Sequence, residues 1–307
     1  MLKISKQFNL TLQSFKEWMQ NIGYTKKTVN DYVNLIKEVL HYLETQGINT
    51  LQDVQEIHLI DFTEQFKQRV NHTHGGGLST SHINYMVKVI RRFLEYLKQA
   101  KQIILTVELK GEKLQVEKPD ILTVDEVKQL LTSMDAVQNP LEVRDRCLIA
   151  VLYGAGLRLS ELHQLDITDI SLSKQTLLVK KAKGNKQRLI PLTEFTVQTI
   201  KYYLTQVRDV FTSISKQQEE ALFIDIHGKR IPYYTYYDIL KYRIDQCGIE
   251  SIQEKRIHPH VFRHSIATHL YLAGMQMEDL AQFLGHKSLD STMIYAHLAQ
   301  TLKNNNR

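Results

Sequence analysis

Helical spacing of apolar residues runs through most of the first hundred positions of this chain and then stops, and that change limits the architectures open to it. In TVNDYVNLIKEVLHYLETQG the residues Val29, Tyr32, Val33, Ile36, Leu40 and Leu43 fall on one helix face, with Gly47 as a stop. The segment STSHINYMVKVIRRFLEYLKQ repeats the pattern with Ile83, Met86, Val87, Ile90, Phe93, Leu94 and Leu97, after a loop THGGGLS whose glycines end the preceding element. No strand is required before residue 105. Lys88, Arg91, Arg92 and Lys98 line the other faces of that second helix, where a solvated surface and contact with DNA are both open readings.

Between Lys101 and Asp120 the periodicity fades, and VELKGEKLQVEKPD is charged, without an apolar face, and reads as a linker. Thr123 followed by Glu126 then has the form of a capping box opening a new helix, TVDEVKQLLTSM. These signals place a helical domain over residues 1–105, a linker over 106–118 and a second domain over 119–307. The second domain breaks its helical pattern once, at TLLVKKAKGNKQRLIPL. That stretch reads as two short antiparallel strands around a Lys183-Gly184-Asn185-Lys186 turn, closed by Pro191. The expected class is therefore mainly α, with a small antiparallel sheet in an α+β second domain.

At 307 residues, 43% of them hydrophobic, the chain can fill two cores. It contains no apolar run of about 18 residues that could span a bilayer, and its first residues lack the continuous apolar core of a signal peptide. Cys147 and Cys247 are far apart and not spaced as metal ligands, so reduced thiols and a cytoplasmic location are expected. The net charge of +6 leans only weakly toward a polyanionic partner.

Common chemistries can be set aside by motif. His260 and His264 stand four apart, as zinc histidines do in H-E-x-x-H, but Val261 occupies the position of the glutamate, so no metal site is expected. YGAGLRLSEL lacks the third glycine of a dinucleotide loop and follows the apolar helical run CLIAVLY where a strand should be. Neither G-x-S-x-G nor G-x-x-x-x-G-K-[ST] occurs.

What remains is a series of polar islands: GAGLRLSEL, KKAKGNKQR, HPHVFRH, FLGHKSLD and TMIYAHL. Arg, Lys, His-x-x-Arg, His and Tyr follow one another in this order, and in that order they resemble the tyrosine recombinases, also called the phage integrase family, and within it the Xer type. The resemblance covers most of the chain. It implies a helical core-binding domain of SAM-like type before a catalytic domain, the two holding double-stranded DNA between them. By resemblance, Arg158 is the first catalytic arginine, Lys183 the hairpin lysine, His260 and Arg263 the central pair, and His286 the later histidine. Tyr295, nine residues after His286, is then the nucleophile.

The implied reaction is site-specific strand breakage and rejoining through a 3′-phosphotyrosyl intermediate, with no cofactor. The guanidinium groups would stabilise charge on the phosphate, and Lys183 would protonate the leaving 5′ oxygen. Glu161, one turn from Arg158, would orient its guanidinium, and His264 would support the site. Lys88, Arg91, Arg92, Lys186 and Arg188 are candidate DNA contacts. The resemblance further implies a homotetramer, or a heterotetramer with a second recombinase, on two DNA sites. Its role would be Xer-like dimer resolution or integration and excision of a mobile element. Competing readings are a catalytically inactive DNA-binding protein and a type IB topoisomerase.

Overall fold

The computed structural model describes residues 2–70, 75–100, 105, 107–113, 119–134, 139–180, 187–213, 219–286 and 288–305, with side chains only as far as residue 300. The chain divides into two compact units, Met1–Glu117 and Lys118–Arg307.

The first unit is helical: α1 (Lys6–Asn21), α2 (Lys26–Thr45), α3 (Glu56–Lys67) and α4 (Thr80–Gln99). The starts of α1, α2 and α4 are set by short polar side chains, since the first amides of a helix lack partners within it. The hydroxyls of Ser5, Thr25 and Ser79 accept from the N–H groups of Phe8, Thr28 and His82. The expected faces of α2 and α4 point inward, with Val33 and Leu94 half-buried and Val89 and Tyr96 added to the core. Phe15 of α1 meets Phe93 of α4 edge to face at 5.1 Å.

Part of the aperiodic stretch is fastened to this unit. Leu109 is buried in its core, its carbonyl accepts from Arg91 Nη2 at 2.5 Å, and the Asn84 amide exchanges two hydrogen bonds with the backbone of Glu112. Because side chains from α4 make these bonds, they leave no periodic trace in residues 107–113.

In the second unit, α5 (Val124–Thr132) opens with the Thr123–Glu126 capping box, and α6 (Pro140–Gly154) follows. Six consecutive residues of α6, Cys147 to Leu152, are buried, because α5, α8 (Glu194–Tyr202), α10 (Thr235–Gln246) and α12 (Pro259–Leu272) all pack on it. A helix apolar all round belongs at a domain centre. The short α7 (Leu159–His163) leads to the sheet, and α9 (Arg208–Thr212) and α11 (Glu250–Gln253) complete the periphery. The chain then runs through α12 and α13 (Met277–Leu284) into α14 (Asp290–Asn305).

The sheet has three strands in the order β1 (Ile170–Ser171), β2 (Thr176–Val179), β3 (Arg188–Pro191), all antiparallel. Strand β1 was not anticipated; two residues are too few to show an alternating pattern. In β2 and β3 the register pairs Leu177 with Ile190 and Val179 with Arg188. Leu177, Val179 and Ile190 are buried, whereas Leu189 is 62% exposed, so Arg188 lies on the inward side. The expected turn at Lys183–Lys186 falls outside the described residues. No helix among the described residues is long and apolar enough to cross a membrane.

Candidate active site

Three chain reversals bring the polar islands of the second unit together. The first follows α6, where Gly156 takes a positive φ of 57° and turns the chain toward Arg158, the N-cap of α7. A Cβ at Gly156 would also stand 2.9 Å from the Phe283 ring, so both conformation and space require glycine. The second is the start of α12, fixed by Pro259 at its first position with His258 as N-cap. The third is the left-handed Gly285 (φ 66°) that ends α13.

The exposed carbonyls at these helix ends carry partial negative charge, and buried arginines take them up. Arg263 is 3% exposed and donates from Nη1 to the Gly156 carbonyl (2.6 Å) and from Nη2 to that of Leu284 (2.7 Å). Arg188 Nε donates to the Phe283 carbonyl at 2.9 Å.

Glu161 joins the cluster. Its buried carboxylate accepts from Arg158 through the backbone N–H (2.9 Å) and Nη1 (3.0 Å), and from Arg188 through Nη1 and Nη2, both at 2.9 Å. Arg263 Nη1 lies 3.9 Å from the same carboxylate. Burial alone would raise this carboxyl, but the Arg188 hydrogen bonds and charge, joined by Arg158, hold it at about 2. One anion thus sits among three cations, and of the three Arg158 is the one with a substantial exposed side chain, 29%.

Tyr295 of α14 is 2% exposed, its ring set between two imidazoles. His286 is stacked on it at 6.1 Å with an interplanar angle of 15°, and His264 lies at 5.7 Å. His286 Nδ1 is 2.8 Å from Thr292 Oγ1, a buried hydroxyl that fixes the ring. Burial raises the Tyr295 phenol above its ordinary value, against the charge and hydrogen bond of Arg263 and the charge of Arg158.

The imidazoles shift the other way. Burial, then the charges of Arg263, Arg158 and Arg188, lower His286 to about 4. Burial, then His260 and Arg263, lower His264 to about 4. His260 is lowered by burial and by His258, Arg263 and Arg158. At neutral pH the site therefore holds neutral imidazoles beside permanent guanidinium charge, an arrangement suited to a group with several negative oxygens.

Of the residues named from sequence, Arg158, Glu161, His260, Arg263, His264, His286 and Tyr295 converge here, whereas Lys183 and Lys186 lie outside the described residues. His258 caps α12, and His269 bonds the Tyr153 hydroxyl at 2.9 Å. The reading of Arg188 as a DNA contact is corrected: its side chain is 8% exposed and all three guanidinium nitrogens are engaged within the unit. Strand alternation carried the signal, since Arg188 shares the face of buried Ile190. Thr292 was also missed, and nothing in its local sequence marks it. In the first unit Lys88 is exposed, Arg91 bonds Leu109, and Arg92 bonds the Tyr24 hydroxyl and Glu95. No group of three or more His, Cys, Asp or Glu among the described residues could hold a metal ion.

Imidazoles and a guanidinium beside a buried tyrosine, next to a second, partly exposed arginine, make a site suited to attack on a phosphodiester, and comparison with known proteins gives the class of enzyme. The phage integrase family pattern matches residues 120–301 and the phage integrase N-terminal SAM-like domain matches residues 12–101. The chain belongs to the phage integrase family, the tyrosine recombinases that cleave and rejoin DNA. It is 28% identical over 298 residues to the tyrosine recombinase XerD of Staphylococcus epidermidis, covering 95% of both chains. To the tyrosine recombinase XerC of Psychromonas ingrahamii it is 32% identical over 281 residues, covering 90% of this chain and 87% of that one. Its fold matches the XerH site-specific recombinase in a post-cleavage complex with a palindromic difH substrate. That match has a TM-score of 0.72 at 24% identity and covers 96% of this chain and 83% of the other.

Proposed function

We propose that this chain is a site-specific DNA recombinase whose nucleophile is Tyr295. Its phenolic oxygen attacks a DNA phosphorus, the bond to the 5′ oxygen breaks, and a 3′-phosphotyrosyl link forms. Lys183 protonates the departing 5′ hydroxyl. Attack by the 5′ hydroxyl of another strand reverses the sequence and releases the tyrosine, so the energy of the broken linkage is kept and no cofactor is consumed.

Arg158 and Arg263 neutralise the non-bridging oxygens as the phosphorus becomes five-coordinate, and His286 donates a hydrogen bond to them. His260, neutral before substrate enters, assists proton transfer near the tyrosine by taking up the proton that the Tyr295 hydroxyl loses as it attacks, and returns it when the tyrosine is released. Entry of an anionic phosphate opposes the guanidinium charges that add to burial in holding His260 and His286 low, and so favours their protonated, hydrogen-bond-donating forms when substrate arrives. Glu161 orients Arg158, and His264 supports the Tyr295 ring. Residues 1–105 form the core-binding domain, 106–118 the linker and 119–307 the catalytic domain. Lys88 and Lys186 meet DNA phosphates, and Arg91 and Arg92 are weaker candidates because their guanidiniums have partners inside the unit.

The observation that carries this reading is the enclosure of Tyr295 between His264 and His286 beside Arg263. Likeness to Xer recombinases over nearly the whole chain favours a cytoplasmic enzyme working as a tetramer on two DNA sites, in dimer resolution or in movement of an integrative element. The test is covalent trapping on nicked genomic fragments with wild type and Tyr295→Phe, followed by SDS denaturation and sequencing of attached DNA. Adduct from the wild type alone, at one recurrent sequence, is expected. Adduct from the variant, or adduct spread over unrelated sequences, contradicts the assignment.

A further inference from the structure

We infer that Arg188 is a positioning residue for the strand-cleavage step, acting through Glu161 on Arg158. The inference rests on the recombinase reading of the site above.

The geometry is that of a clasp. Arg188 presents a planar fork to both oxygens of Glu161, so the carboxylate cannot turn about its last bond without losing one of two 2.9 Å contacts. Held in that plane, Oε1 stays aimed at Arg158 Nη1 and Oε2 at the Arg158 backbone N–H. The Arg158 guanidinium is thus gripped at one corner while the rest of the partly exposed group remains available to a phosphate.

The clasp has a second attachment. Nε of Arg188 bonds the Phe283 carbonyl, the next carbonyl, of Leu284, receives Arg263, and two residues further on stands His286. Gly285 lies so close that a Cβ there would come within 2.8 Å of Arg188 Nη1. One side chain of β3 therefore connects the turn that bears Arg158 to the turn that bears His286. Lysine cannot substitute, since an ammonium offers no planar fork and has no Nε–H to reach Phe283 at the same time. Partners that orient a reacting group in this way commonly account for about 10- to 100-fold in activity.

The test uses full-length protein and a nicked duplex bearing the sequence recovered by covalent trapping. Single-turnover adduct formation at saturating duplex and DNA affinity are measured for wild type, Arg188→Gln, Arg188→Lys, Glu161→Gln and the double variant Glu161→Gln/Arg188→Gln. Thermal unfolding is recorded for each, and Arg188→Lys carries the test should the glutamine variant not fold. The expected result is a rate at saturation lowered about 10- to 100-fold by either Arg188 substitution. Affinity should stay within about threefold, and the glutamine substitution should have little further effect once Glu161 is gone. An equal loss in the Glu161→Gln background, or weakened binding with an unchanged rate at saturation, overturns the inference. Absence of adduct from the wild type would instead count against the recombinase reading.

Discussion

The imidazole of His286 lies nearly parallel to the Tyr295 ring, 15° from coplanar at 6.1 Å, while its Nδ1 is tied to Thr292. Tyr295 and its neighbour are thus fixed in relation to each other by a hydroxyl buried on the same helix as the tyrosine. Replacing Thr292 with Val keeps the volume but removes the bond. Adduct formation at saturating DNA should fall about tenfold while affinity is kept; an unchanged rate would show that the His286 ring needs no tether.

Acid should destabilise the catalytic unit through its histidines. His264 and His286 sit at about 4 in the folded protein against an ordinary value of 6.5, so between these limits the unfolded chain binds more protons than the folded one. Stability is therefore fully present above about 6.5 and declines as pH falls toward about 4. Urea unfolding at a series of pH values should show this slope, and His264→Gln should flatten it. A slope unchanged by that substitution contradicts the assignment.

Glu161→Gln should be costly despite its small change in shape. The carboxylate compensates Arg158 and Arg188 and lies 3.9 Å from Arg263, at 1% exposure. Removing the one anion from such a cluster should cost about 3–5 kcal/mol in unfolding free energy and abolish most cleavage. A loss below about 1 kcal/mol, the range of exposed pairs, would mean that water reaches the site freely.

Gly285→Ala tests the turn that carries His286. Its φ of 66° and the 2.8 Å approach to Arg188 Nη1 both penalise a Cβ. Chemical denaturation should show a loss of about 1–3 kcal/mol, and cleavage should slow with it; a neutral variant would show that the turn and Arg188 shift easily.

Cleavage should survive removal of divalent cations. In the proposed mechanism guanidinium groups meet the charge that develops on the phosphate, and the described residues contain no group of three or more His, Cys, Asp or Glu able to hold an ion. Adduct yield in EDTA should equal that in magnesium, and loss in EDTA restored by added metal would revive a metal-assisted mechanism.

Much of this was legible in the chain, for identifiable reasons. Long helices such as α2 and α4 declare themselves because one face is apolar over 20 residues each. The Thr123–Glu126 box could be read because capping is a local matter. The convergence of His260, His286 and Tyr295 was legible only through the order of their motifs, since none of them carries a local sign of it. What escaped was fixed by distant partners. Strand β1 has two residues and no period, residues 107–113 are held by Asn84 and Arg91 from another element, and Arg188 looked like a surface cation until Glu161 was seen opposite it. Alternation from Ile190 would have turned Arg188 inward and called for a buried acid.

The central claim is that Tyr295 carries the DNA during exchange, and peptide mapping tests it most directly. Wild-type protein is trapped on a nicked duplex bearing its recovered site, digested with nuclease and trypsin, and the modified peptide sequenced by mass spectrometry. A nucleotide phosphate on Tyr295, within residues 288–303, is the predicted result. A phosphate on any other of the 15 tyrosines, or on a serine, would contradict it.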